Sequence, residues 1–344
     1  MTTETPRTPR RWRRGLVLAC CALLVVAGVT VAANTNVFGP RELCGGWLSS
    51  EDAQEGLGGS GRVTSRFDST NACVLERTSW LPGGKDVRVR LRATAVEAGH
   101  PFVDSLWTIS GEQNIVTGLF PGAFDAHGTG WVSLPAPCAM VGEGAVKGDR
   151  TVLRVGVEQG DVDPAKLSRT AERAARAIAT SHQCLSASSQ TDSTRSGTGG
   201  FRYLSASRVS RSDPAKVCGL PGFALAATAP AGTPVQEQTS GSFGDAWFCD
   251  LSLEHPVTGL PRDDEHGPFA RLAIIRNPEL FSGAEKHGFE RVVCGGKETY
   301  FAMDNLFTEE NTEGPVDEAA MDFFRKSSVL DRFPEAARTA LGCD

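Results

Sequence analysis

Six histidines and their acidic neighbours hold most of the acid–base chemistry open to this chain near neutral pH: His100, His127, His182, His255, His266 and His287. Two combinations have the residue types of a hydrolase. Asp125 lies beside His127, and His100 precedes Asp104; in each, a carboxylate would orient an imidazole acting as general base. Position argues for a structural role instead. His127 and His287 recur between a Gly-Ala and a Gly, where the chain turns, and His100 and His266 each stand just ahead of a Pro-Phe. Asp263-Asp264-Glu265 would draw a cation but reads as a polar loop. Gly241-Ser242-Phe243-Gly244 lacks the glycine two places before the serine that a nucleophile elbow needs. Gly295-Gly296-Lys297 is followed by Glu298 where a phosphate loop needs Ser or Thr. The sequence therefore assigns no catalytic, cofactor-binding or metal residue, and no cofactor.

Binding chemistry is more visible. Arg88, Arg90 and Arg92 alternate with Val87, Val89, Leu91, Ala93 and Ala95, the period-two pattern of a strand with one buried face and one basic face. Such a row suits an anionic wall polymer or lipid headgroup, and equally a solvated face that resists edge pairing. Leu153, Val155 and Val157 alternate in the same way. In the second half, Trp247, Cys249, Leu251 and Leu253 share one face opposite Asp250, Ser252 and Glu254. Of the tryptophans beyond the N-terminus (Trp47, Trp80, Trp107, Trp131 and Trp247), Trp131 and Trp247 sit on strand-like runs near cysteines and read as core.

The cysteines organise the chain. Cys20 and Cys21 lie in an apolar run; Cys44, Cys73, Cys138, Cys184, Cys218, Cys249, Cys294 and Cys343 lie beyond it. Eight such cysteines without a Cys-x-x-Cys pair read as disulfides in an oxidising compartment. Their spacings fall into two sets, 29, 65, 46 and 31, 45, 49. The outer intervals match and the middle differs by about twenty residues, which indicates a tandem duplication with an insertion near Trp107 to Gly118. Leu119-Phe120-Pro121-Gly122-Ala123 before Cys138 matches Leu280-Phe281-Ser282-Gly283-Ala284 before Cys294. Of the three pairings open to each set, Cys44–Cys73, Cys138–Cys184, Cys218–Cys249 and Cys294–Cys343 close the shortest loops, and the crossed pairings stay open. Each bridge would add about 3–4 kcal/mol in the chain-entropy account.

Residues 185–200 are Ser-, Thr- and Gly-rich and read as a flexible linker between repeats at 41–184 and 201–344. Each repeat reads as a short helix, strands, then a long helix. Ser49 with Asp52 marks a helix start, and Asp163-Pro164 opens a helix with Leu167, Ala171, Ala174 and Ile178 as its apolar stripe. Pro315 opens a second helical stretch carrying Phe323 and Phe324, which Pro334 should break. The expected class is α+β, an antiparallel sheet with packed helices in each of two similar domains.

The N-terminus supplies the compartment. Gly15 to Ala33 is a 19-residue apolar run behind Arg7, Arg10, Arg11, Arg13 and Arg14. At 1.5 Å per residue it would span roughly 28 Å, so 1–14 would be a cytoplasmic tail, 15–33 a transmembrane signal anchor and the remainder extracytoplasmic. Val31-Ala32-Ala33 keeps open cleavage and secretion. Arg13-Arg14 resembles a twin-arginine signal, and Cys20 resembles a lipidation site only faintly. The first fourteen residues carry a net +4, which leaves −10 of the overall −6 on the remainder, a charge unsuited to nucleic acid.

The anchor, the Ser-rich linker, the repeated four-cysteine domain and the phrase Gly130-Trp131-Val132-Ser133-Leu134-Pro135-Ala136-Pro137-Cys138 resemble membrane-anchored extracytoplasmic proteins of unknown function from streptomycetes and other actinobacteria. Seven Lys against 28 Arg agrees with a GC-rich genome. The order helix, strands, helix also resembles small lipoproteins with a PsbP-like sandwich. The resemblance implies a membrane-tethered binding or interaction protein of the envelope, with the membrane and a protein, wall polymer or small ligand as partners. An envelope hydrolase, or an accessory or sensor subunit of a membrane complex, are the alternatives.

Overall fold

A computed structural model describes residues 10–36, 39–69, 71–79, 84–96, 110–138, 150–185, 200–226, 234–254, 270–277, 280, 289–305, 323 and 326–343. The class is α+β with antiparallel sheets. The chain begins with α1 (Arg10–Asn34), which starts inside the arginine cluster, so its first turns are charged. Among the described residues no helix is long and apolar enough to cross a membrane, and the spanning helix expected over 15–33 gains no support from the fold.

The first half opens with a two-stranded ribbon, β1 (Glu42–Leu43) and β2 (Leu48–Ser49), around Cys44. Helix α2 (Ser50–Leu57) follows, with Ser49 Oγ accepting the Asp52 N–H at 3.0 Å. Then come β3 (Arg62–Ser69), β4 (Ala72–Thr78), β5 (Val87–Val96), β6 (Asn114–Thr117), β7 (Gly122–Phe124), β8 (Gly130–Ser133) and β9 (Arg150–Gln159). Helix α3 (Pro164–Ser181) closes this half. The Asp163 carboxylate accepts the Ala165 N–H at 2.9 Å, and Leu167, Ala171, Ala174 and Ile178 are buried. A Cβ on Gly56 would lie 2.4 Å from Thr170 Oγ1, so residue 56 must lack a side chain for α2 and α3 to approach. Across that contact Arg173 reaches Asp52 at 2.5 Å and Glu55 at 2.6 Å.

The second half has β10 (Arg202–Leu204), β11 (Ser210–Arg211), β12 (Val235–Ser242), β13 (Ala246–Leu253), β14 (Ala270–Ile275), β15 (Phe289–Cys294), β16 (Lys297–Asn305) and α4 (Val329–Leu341). Pro334 sits inside α4 and does not break it. The lost backbone bond is outweighed by packing. Phe333 beside the proline stacks on Trp247 at 6.3 Å and meets Phe223 and Phe301 edge-on.

The strand orders are β10-β6-β7-β8-β9-β5-β4-β3 and β11-β12-β13-β14-β16-β15. The run β3-β4-β5-β9-β8 of the first sheet has the connectivity of β12-β13-β14-β16-β15 in the second, so the duplication read from cysteine spacing is a duplication of topology. Strand β6 lies in the inserted length; β7 falls in the matched segment Leu119–Ala123 and just beyond it, whose counterpart in the second half lies mostly outside the described residues. The disulfides are Cys44–Cys73, Cys138–Cys184, Cys218–Cys249 and Cys294–Cys343. Cys44 (φ 53°) and Cys218 (φ 56°) hold the same left-handed turn at equivalent places, a conformation a non-glycine residue keeps only when its surroundings fix it. Residues 186–199, most of the expected linker, lie outside the described residues.

One face of the first sheet packs on α2 and α3, and one face of the second on α4. Alternation sends the intervening residues to the other faces. Those faces meet: Val96, Ile115, Ala123, Trp131 and Val152 form one cluster with Ala246, Phe248, Ala273, Ile275, Tyr300 and Ala302. The layers are helix, sheet, sheet, helix. The halves are joined by more than a linker, and β10, which follows it, pairs with β6 of the first sheet.

This contact also covers Asp250, which lies on the β13 face opposite Trp247 and Cys249 and is only 9% exposed. Residues 110–113, from the inserted length, cross onto β12 and β13. Ser240 Oγ donates to Ser110 O at 3.2 Å, and a Cβ on Gly111 would lie 2.0 Å from Gln238 O. The Gly111 N–H donates to the Asp250 carboxylate, whose Oδ2 lies 3.7 Å from Arg271 Nε. Burial pushes the Asp250 carboxyl up to about 6, with Arg271 and the Gly111 N–H opposing the rise. A raised carboxyl favours the neutral form in the folded state, so its contribution is full below the ordinary carboxylate range and is lost as pH rises to about 6. The lost stability is on the order of 3 kcal/mol. Asp250→Asn removes that dependence. Relative to the parent chain, its denaturation midpoint should rise between pH 4 and pH 7.5; a constant difference across that range would contradict the assignment.

Candidate functional site

The second sheet covers only part of the inner face of the first. Beyond Trp131 and Val152 that face is open among the described residues, and it carries the arginines. Alternation on β5 buries Val87, Val89 and Leu91 under the helices and turns Arg88, Arg90 and Arg92 the other way. Strand β9 repeats the pattern, burying Leu153 and Val155 and turning out Arg154 and Gly156. Register then decides the neighbours. Arg92 stands opposite Arg154, Arg154 opposite Trp131, and Arg90 opposite Gly156.

These residues surround a depression of about 350 Å³, bounded on its other side by Gln113, Asp125 and Thr129. Arg90 is clasped from two sides, by Glu158 at 2.6 Å and by Asp68. Hydrogen bonds to those carboxylates hold its guanidinium pKa above the ordinary value. Arg88 is held likewise, chiefly by Glu76 at 2.8 Å. Arg154 is exposed, and no carboxylate among the described residues lies within ion-pair distance of it. Two guanidinium-bearing residues directly opposite across a ladder are unfavourable. Trp131 is 6% exposed and serves as a wall, not a stacking platform.

Asp125 and His127 belong to the turn between β7 and β8. Asp125 Oδ1 accepts the backbone N–H of His127 at 2.8 Å and of Thr129 at 2.9 Å. Gly128 takes φ 87° beside Val162, where any side chain would collide. The His127 ring is exposed, and the carboxylate is satisfied by main chain. The pair forms a turn, and its hydrogen bonds are not those of a carboxylate–imidazole couple. His100, Asp104, Trp80, Trp107, His255, Asp263, Asp264, Glu265, His266 and His287 lie outside the described residues. His182 caps α3, and Trp47 packs edge-on against Phe67 at 5.9 Å. Among the described residues no group of three or more His, Cys, Asp or Glu is placed to hold a metal ion.

Sequence reasoning found the arginine row and Asp125 but missed Arg154, Gly156 and Gln113. The alternation of Leu153 and Val155 already placed Arg154 and Gly156 on the opposite face. The pairing of β9 with β5 was the missing piece. If Asp125 serves the turn and His127 only occupies it, the two substitutions separate in unfolding experiments. Asp125→Ala should cost about 1 kcal/mol for two backbone donors left without their acceptor. His127→Ala should change stability by less than about 0.5 kcal/mol.

Comparison of the chain with protein-family models, with curated proteins and with solved structures finds no match, so the open arginine-lined face is the ground on which its function is argued.

Proposed function

We propose that this chain is a membrane-tethered, extracytoplasmic binding protein of the cell envelope, and that it binds anionic envelope material on the open half of the first sheet. The observation that carries the reading is that half-covered face. The second sheet buries its apolar end and leaves the arginine-lined depression in reach of solvent.

Three features support the setting. On α1, Leu18 and Leu24 are 71% and 73% exposed, with Leu23, Val25 and Val26 beside them, and a lipid phase would cover such a surface. The four disulfides suit an oxidising compartment. The arginines ahead of the apolar run favour a cytoplasmic N-terminus. The likeness to actinobacterial membrane-anchored proteins belongs to this proposal, as does the separate likeness of the helix, strands, helix order to a PsbP-like sandwich. The reading as a binding protein and not an enzyme belongs to it as well, and the turn role of Asp125 among the described residues supports it.

Two measurements test it. A C-terminal tag on the full chain should be reached by antibody on intact cells; a tag protected until lysis would overturn the extracytoplasmic placement. The full chain in zwitterionic nanodiscs should be retained by wall sacculi that keep their anionic polymers, and retention should fall as salt rises. The double variant Arg92→Ser, Arg154→Ser should lose retention at least tenfold with an unchanged melting temperature. Equal retention of variant and parent would sink the reading.

A further inference from the structure

Gly156 stands within the ten-residue strand β9, outside the left-handed backbone region, and among the described residues a Cβ built on it meets nothing within 4 Å. Neither a left-handed conformation nor crowding demands glycine there. Contrast Gly122 and Gly130 on the neighbouring strands, where a Cβ would strike a carbonyl oxygen at 2.0 and 2.2 Å. Glycine weakens a strand interior and marks either an irregularity or a place where something approaches the backbone closely. The register shift of β9 against β5 falls farther on, between Val157 and Gln159, while Gly156 itself pairs regularly with Arg90, so the second reading is taken for Gly156. Gly156 is the floor of the depression.

The walls say what approaches. On one side Arg92 and Arg154 face each other across the ladder. A carboxylate has two oxygens and is satisfied by one guanidinium fork; a phosphate ester has enough oxygens to engage two. The opposite side differs in kind. Asp125 has one carboxylate oxygen committed to its turn, and Oδ2 takes no hydrogen bond from the described residues. With Gln113 and Thr129 it offers acceptors and donors suited to hydroxyl groups. The Asp125 charge also repels an anion toward the arginines, which fixes the ligand's direction. A space of about 350 Å³ is at the small end of ligand sites and suits one sugar- or polyol-sized unit.

We propose that this depression binds a phosphorylated polyol, with the phosphate over Arg92 and Arg154, the carbon chain across Gly156 and the hydroxyls toward Asp125. This rests on the reading of the face as a binding surface and names its ligand class. The phosphate ester can be free or the headgroup of a lipid, since both present the same groups.

The test uses the full chain in zwitterionic nanodiscs, titrated with glycerol 3-phosphate, inositol 1-phosphate, inorganic phosphate and glycerol. The two esters should bind at least tenfold more tightly than inorganic phosphate or glycerol. Gly156→Val, which suits a strand and fills open space, should keep the melting temperature and weaken ester binding at least tenfold. Arg154→Ser should weaken binding of the esters and of inorganic phosphate alike. Asp125→Asn, which keeps the turn acceptor, should weaken only the esters. Displacement of bound ester by phosphatidylglycerol vesicles, but not by phosphatidylcholine vesicles, assigns the lipid source; retention assigns the free ester. Inorganic phosphate binding as tightly as the esters, or Gly156→Val binding like the parent, overturns the proposal. If the esters fail while sacculus retention still depends on Arg92 and Arg154, the ligand class falls and the binding function stands.

Discussion

Phe248, Ile275 and Tyr300 of the second sheet press on Ile115, Trp131 and Val152 of the first, and this inter-sheet packing sets the position of everything else. Each sheet already has one face under its own helices. A strand between two apolar layers must be apolar on both sides, which is why Ala246, Trp247, Phe248 and Cys249 are consecutive buried residues. Burying one large apolar side chain contributes roughly 1.5–3 kcal/mol, so a cluster drawn from both sheets outweighs the surface ion pairs around it. The halves therefore behave as one body through this layer, whatever the segment between them does.

The same packing defines the binding surface by what it omits. Strand β5 carries arginines along its inner face, the one toward the second sheet, and ends in Val96, which on that same face enters the inter-sheet cluster. At that end the face is core; farther along it is open and basic. The depression lies at the boundary, where Trp131 closes the apolar layer and Arg154 begins the polar one. Clasping Arg90 between Glu158 and Asp68 holds one wall in place at little net cost, because these groups keep contact with water.

The inserted length in the first half has a structural use. Strand β6 widens the first sheet beyond β7, giving it Ile115 for the inter-sheet layer. The residues just before it, Ser110 and Gly111, hydrogen-bond to Ser240 and Asp250 of the second sheet. A buried aspartate is costly in its charged form, and its place here is explained by that crossing segment. The disulfides act on the outer layers: each half ties its left-handed turn to a strand, and its closing helix to the end of another strand or loop.

Local sequence determined much of this. The caps at Ser49 and Asp163, the α3 stripe, the β5 alternation and the repeat in the cysteine spacing all follow from residues a few positions apart, and each depends on backbone geometry that neighbours alone dictate. What sequence periodicity reported was one buried face per strand. It could not report that Asp250 is covered, because its cover comes from residues 110–113, far away in the chain. It could not keep Pro334 inside α4, because Phe333 holds that helix through contacts with the sheet. Nor could it bring Arg154 opposite Arg92 or leave Gly156 beneath open space. Those neighbours come from the pairing of β9 with β5, which is set by the burial of two sheets against each other and not by any local signal.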